Sequence, residues 1–242
     1  DDIGSILAVP DYVSRTNVAA GKKPLTVGDV LDAMVKAHEL QGGLGARVRL
    51  SEYGIDHPLL PKIACAAVTA KLLGATHEQI IAATSLGFFE PSLCAHRFGS
   101  NVGPRKGWAA AESTSHGVRL AFMALRGEPA YPNVLTQPKW GFNKSFLAGR
   151  EFTMGSLGTQ VMEGIIFKIL CPVVIHAQSA IECAVKLYPE VHARLDDIAS
   201  IKLDVHVETF NKINKTGVLR NRDRILQAVI DRKSTRLNSS HV

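Results

Sequence analysis

Gly103-Pro104-Arg105-Lys106-Gly107-Trp108-Ala109-Ala110-Ala111 opens a stretch that runs to Arg126 and stops at Gly127. Its reading decides the fold. An alanine-rich run with no alternation of polar and apolar residues, closed by a glycine, predicts a helix from about Trp108 to Arg126. Arg105 and Lys106 stand together just behind a Gly-Pro turn, at the start of that helix, where free backbone N–H groups also attract anions. An aromatic-rich loop follows, with Tyr131-Pro132-Asn133-Val134-Leu135-Thr136 and Trp140-Gly141-Phe142. The combination suits a small anionic ligand, a carboxylate-rich metabolite, better than it suits a nucleic acid.

Helical signals continue outward from this stretch. Thr26 with Asp29 three residues on is a capping-box start for a helix to Leu40, with Gly42-Gly43 as its stop. Val27, Leu31, Met34 and Val35 recur there at helical spacing, and His38 near that stripe reads as a core histidine. A second helix is expected from Pro58 or Pro61 to Gly74, and a third from Thr76, with Gln79 as its capping partner, to about Leu86. Ala64, Ala66, Ala67 and Ala70 match Ala109, Ala110 and Ala111 in size and favour close helix packing. The pattern changes near residue 164. Ile165-Ile166-Phe167-Lys168-Ile169-Leu170 has strand length, a helix is expected from about Val174 to Tyr188, and Ile201, Leu203, Val205 and Val207 alternate with polar residues as a half-buried strand does. A further helix is expected from Leu219 to Asp231. The expected fold is mainly α: an all-helical domain over 1–163, then the first part of an α+β lid domain over 164–231.

Bulk properties narrow the function classes. At 242 residues and 46% hydrophobic content the chain can bury a substantial core. It has no apolar run long enough to span a membrane and no secretory signal pattern, so no membrane partner is expected and the compartment is read as cytoplasmic, or the mitochondrial matrix in a eukaryote. Cys65, Cys94, Cys171 and Cys183 are widely spaced without a Cys-x-x-Cys pair, which argues against a zinc site, an iron–sulfur cluster or a disulfide framework and for a reducing setting. The net charge of +6 invites a nucleic-acid reading, yet the last eleven residues hold Arg232, Lys233 and Arg236 and no acid. Without them 25 basic residues face 22 acidic ones. Residues 232–242 have no apolar periodicity and read as a non-native tail, so no nucleic-acid partner is expected.

The chain also resembles a known family. Gly103–Lys106, Trp108-Ala109-Ala110, Val118-Arg119-Leu120-Ala121 and Tyr131–Thr136 are similar to a block of the 2-methylcitrate dehydratases, the MmgE/PrpD family. The similarity extends upstream through Lys36–Gly42 and Gly54-Ile55-Asp56-His57, and downstream through Val161-Met162-Glu163, Phe167-Lys168-Ile169 and His176-Ala177-Gln178-Ser179-Ala180. It implies a hydro-lyase of propionate catabolism that converts 2-methylcitrate to 2-methyl-aconitate and water. Other polycarboxylate lyases of the superfamily, citrate dehydratases and cis-aconitate decarboxylases, are the nearest alternatives, and a non-catalytic helical scaffold is the alternative from another class. The reaction needs a base for a proton beside a carboxylate, an acid for the departing oxygen, and cations for three carboxylates, but no metal and no organic cofactor.

The resemblance also assigns residues. Lys106 falls where the decarboxylase branch has an active-site lysine, although a solvated lysine at a helix start is the plain alternative. His57, between Asp56 and Pro58, falls on a catalytic histidine position, and Asp56 is its available orienting partner. Consecutive side chains often diverge, which counts against that pairing. His176, at a helix start in the second unit, falls on another and would complete the site from a lid. Arg105 and Arg97 are the substrate-binding cations. Departures occur at Arg97-Phe98 in place of Arg-His, at Ala111-Glu112 in place of Gly-Asp, and at Arg222-Asp223-Arg224 in place of Arg-Asp-His. Family chains are roughly twice this length, and Asp1 matches the last residue of their His-Pro-Ser-Asp motif. The expectation is therefore an internal fragment of an enzyme that is a homodimer when complete.

Overall fold

From Ile63 to Ala70 no side chain is larger than isoleucine, so neighbouring helices can close in on that segment from every side. The computed structural model describes residues 1–98, 104–165, 174–207, 209 and 210. Two units divide the chain: Asp1–Cys94 with Pro104–Ile165, and Ala95–Gly103 with Ile166–Val242.

In the first unit the axis is α3 (Leu59–Leu72), eleven of whose fourteen residues are buried. Around it pack α1 (Ile3–Ala19), α2 (Val27–Gly45), α4 (His77–Leu86) and α6 (Arg105–Leu125). The crossing of α3 with α6 is tightest at Gly117, where a Cβ would lie 2.7 Å from the Lys62 carbonyl oxygen and 2.9 Å from Cys65 Cβ. Gly74 and Gly127, both at positive φ, follow α3 and α6 as their sequence positions predict. Capping boxes at Thr26–Asp29 and Thr76–Gln79 open α2 and α4, also as predicted. Beyond α6 the chain forms α7 (Phe142–Phe146), whose Phe142 meets Phe88 edge to face at 5.4 Å. A short α8 (Gln160–Glu163) completes the unit.

α1 carries no cap signal, and Pro10 lies within it. Tertiary contacts hold it. Ile6 and Val9 are buried, and Ser5 Oγ lies 2.8 Å from Cys65 Sγ, which in turn donates to Asp2 Oδ1 at 3.1 Å. Burial pushes the Asp2 carboxyl above the usual carboxylate range and the Cys65 thiol up as well.

Four expectations for α2 and α6 change. α2 runs through Gly42-Gly43 to Gly45, because the missing side chains make room for a neighbour rather than ending the helix: a Cβ on Gly43 would come 2.9 Å from Leu157 Cδ2. The Val27, Leu31, Val35 stripe is exposed, at 75%, 56% and 46%, while Ala33, Ala37 and Leu44 are buried. The small residues win the inward face since α3 demands a close approach, and His38 on the larger face is exposed rather than a core residue. α6 starts at Arg105, three residues early, so Arg105 and Lys106 form part of its first turn.

The second unit contains α5 (Ala95–Phe98), a 3-10 turn at Ile175–Ala177, α9 (Gln178–Val191) and a further 3-10 stretch, His192–Asp197. Residues 201–206 form no strand. A strand needs a partner for its N–H and C=O groups; no such ladder exists among the described residues, and Ile201 and Val207 remain 43% and 54% exposed. The expected strand at 166–170 and helix at 219–231 lie outside the described residues. The chain is mainly α, as predicted, and no helix among the described residues is long and apolar enough to cross a membrane.

Candidate active site

The entry to α3 is shaped by backbone chemistry. Gly54 takes a left-handed conformation (φ 74°), which lets the chain turn after Tyr53. Ile55 then pairs antiparallel with Leu93, Asp56 N–H donates to Ser92 O at 2.7 Å, and Cys94 N–H donates to Gly54 O at 3.0 Å. This strap fixes Asp56, whose side chain is 2% exposed, directly before the helix. Asp56 Oδ1 accepts the His57 backbone N–H at 2.9 Å and lies 3.3 Å from His57 Nδ1. The two consecutive side chains converge, contrary to the expectation that they diverge. The contact sets the Asp56 carboxylate beside Nδ1 and leaves Nε2 as the ring nitrogen away from it. Nε2 lies 3.8 Å from Asp1 Oδ2, and the ring is half exposed. His57 is thus an oriented imidazole open to solvent, able to take a proton.

A second arrangement lies along α3 and α6. A cavity of about 560 Å³ is lined by Lys62, Glu90, Arg105, Glu112, His116 and Arg119, with serines 92, 113 and 115 among its other walls. Lys62 is 3% exposed and donates from Nζ to Glu90 O at 2.6 Å. Burial pulls its ammonium down to about 8, the nearby Glu90 carboxylate only partly opposing this. His116 Nε2 lies 3.5 Å from Glu90 Oε2, and burial, then the Lys62 charge, holds that imidazole below the ordinary histidine range. Arg105 reaches two turns along α6 to Glu112 at 2.7 Å and stacks over Trp108, 4.7 Å from the ring centroid. The unusual Glu112 therefore has a local role: it anchors Arg105.

Of the residues expected at the site, Arg105 lines this cavity and Lys106 stands next to it in the first turn of α6, half-buried; neither Lys106 nor His57 lines the cavity. Arg97 and His176 belong to the second unit, Arg97 in α5 and His176 in the 3-10 turn before α9, both half-buried. Sequence reasoning missed Lys62, His116 and Arg119. A lone cation inside the apolar run Leu59–Val68 was the available signal, because a charge is buried in such a run only with a partner or a task.

Glu39 is a further buried acid. Its two carboxylate oxygens accept the backbone N–H groups of Gly158 at 2.6 Å and Val161 at 2.8 Å, clasping Gly158 and the start of α8 onto α2. The Val161 bond, then the Gly158 bond, holds this carboxyl below the usual range.

Residues 1–155 match the MmgE/PrpD N-terminal domain and residues 171–228 match the MmgE/PrpD C-terminal domain. The chain belongs to the MmgE/PrpD family. A 2-methylcitrate dehydratase of Escherichia coli is 42% identical over 238 residues, covering 95% of this chain and 49% of the relative. A mitochondrial 2-methylcitrate dehydratase of Yarrowia lipolytica is 40% identical over 239 residues, with 95% and 46% covered. An alkylcitrate dehydratase of a fungal species is 34% identical over 247 residues, with 95% and 48% covered. This MmgE/PrpD chain spans about half the length of the curated relatives it matches.

Proposed function

We propose that this MmgE/PrpD chain carries part of the active site of a 2-methylcitrate dehydratase. The observation that supports the reading most is the identity of about two residues in five, sustained over 95% of the chain, with enzymes of that name. The geometry is compatible with the chemistry. His57 Nε2 takes the proton from the carbon beside a carboxylate; the electron pair forms the new double bond, and the hydroxyl on the neighbouring carbon leaves as water after receiving a proton. Lys106 supplies that proton or stabilises the departing oxygen, and Arg105 clamps a carboxylate through its planar fork. Arg97 as a second carboxylate contact and His176 as a proton-transfer group rest on the resemblance alone. The reading includes a tricarboxylate substrate, no nucleic-acid partner and a homodimer in the complete protein, with 164–231 the start of a lid domain.

The test is turnover by the product of the complete gene. 2-Methylcitrate is expected to be dehydrated in preference to citrate, and His57→Ala to lower kcat by about 10² or more with an unchanged melting temperature. His176→Ala is expected to act in the same direction. Preference for citrate would remove the substrate assignment, and full activity of His57→Ala would remove the base.

A further inference from the structure

The cavity between α3 and α6 holds more positive charge than its own acids match. Arg105 is bound to Glu112, and Glu90 leans on His116. Lys62 and Arg119 have no side-chain ion pair closer than 4 Å among the described residues, and the Lys62 ammonium makes one hydrogen bond there, to a carbonyl. Two of its three N–H groups remain to be satisfied, on a side chain that is 3% exposed. A buried cation in that state is stabilised by an anion beside it. The volume, about 560 Å³, lies within the range of small-molecule sites, and the wall serines add hydroxyl donors.

We infer that this cavity is a binding site for a small polycarboxylate anion, one carboxylate resting on Lys62 and another facing Arg119 at the rim. The site shares its Arg105 wall with the dehydration reading but stands on Lys62 and Arg119, which that reading leaves unused. Lys62 supplies the buried end, where a charge-assisted hydrogen bond is strongest. Arg119 is exposed and supplies entry. Arg105, fixed by Glu112 and Trp108, forms a wall that cannot swing away without breaking both contacts.

Calorimetric titration of the 242-residue chain at low salt tests this, with citrate as the probe and inorganic phosphate as the competing anion class. Citrate is expected to bind at one site. Lys62→Met is expected to weaken it about tenfold or more, and Arg119→Gln about threefold, in keeping with a buried and a rim contact. If Lys62→Met does not fold, as its circular dichroism would show, Arg119→Gln and the pH series decide. The charged groups that face Lys62 are Glu90 on the strap and Arg105, Glu112, His116 and Arg119 on α6. His116, held below its ordinary range, is uncharged across pH 7 to 9, whereas Lys62 loses its proton through about 8. Citrate affinity is therefore expected to fall by up to about tenfold over that window. Unchanged affinity in Lys62→Met, a flat pH series, or equal binding of phosphate and citrate would each overturn the site. So would loss of binding in His57→Ala with retention in Lys62→Met, which would put the anion at the imidazole.

Discussion

At the scale of single residues, His57 and Lys62 lie five positions apart and illustrate opposite uses of burial. The carboxylate of Asp56 is buried so that an exposed imidazole is oriented. The ammonium of Lys62 is itself buried, at a cost the fold bears. That cost has a sign that can be checked. The unfolded lysine titrates at its ordinary value of 10.5 and the folded one at about 8, so between these values the unfolded state binds more protons and stability rises with pH. Below about 8 the penalty is present in full. Measured as urea unfolding at pH 7, 8, 9 and 10, wild type should gain on Lys62→Met by up to about 3 kcal/mol across the window. A constant difference between the two proteins would show that the folded lysine titrates like the unfolded one and stays charged throughout the window. His57 is legible through its neighbours in the family pattern; nothing adjacent to Lys62 announces a cavity, since its acceptor and companions come from residue 90 and from α6.

Secondary-structure elements are legible where a local signal fixes them. Thr26–Asp29 and Thr76–Gln79 are self-contained four-residue devices, so both helix starts can be read directly. The glycine after α6 is equally plain. α1 is not legible, because the contacts that hold it run from Asp2 and Ser5 to Cys65, some sixty residues away. The inward face of α2 escapes a local reading for a similar reason: hydrophobicity favours Leu31, whereas the spacing set by α3 favours Ala33 and Ala37. The alternating 201–207 segment has the local pattern of a strand but no ladder partner among the described residues. Glu39 ties one element to a distant loop, which allows a direct test. Glu39→Gln should speed proteolytic cleavage within residues 157–163 while leaving cleavage in the 20–26 linker unchanged. The protection by Glu39 is an acid–base property as well: its lowered carboxyl stabilises the clasp above the ordinary glutamate value of 4.5, and the clasp weakens as the pH falls below it. Equal digestion rates for the two proteins at pH 7 would rule the clasp out.

At the scale of the whole molecule, the three clusters of buried apolar side chains among the described residues fall within the first unit. α9 has no buried residue. A polypeptide ending at Ile165 is therefore expected to melt cooperatively, by helical circular dichroism, at a temperature close to that of the full chain; a broad, non-cooperative melt would show that the first unit depends on residues 166–242. Thiol chemistry should report the same contrast. In a Cys171→Ser background, exposed Cys183 should react at once with a disulfide reagent, and buried Cys65 and Cys94 only on unfolding. The crossing at Gly117 has a consequence for inheritance. Glycine alone among the twenty residues lacks a Cβ, so every missense change there pushes a carbon against the Lys62 carbonyl and the wall of the central helix. Such a position has no mild alleles, although its backbone is ordinary helix.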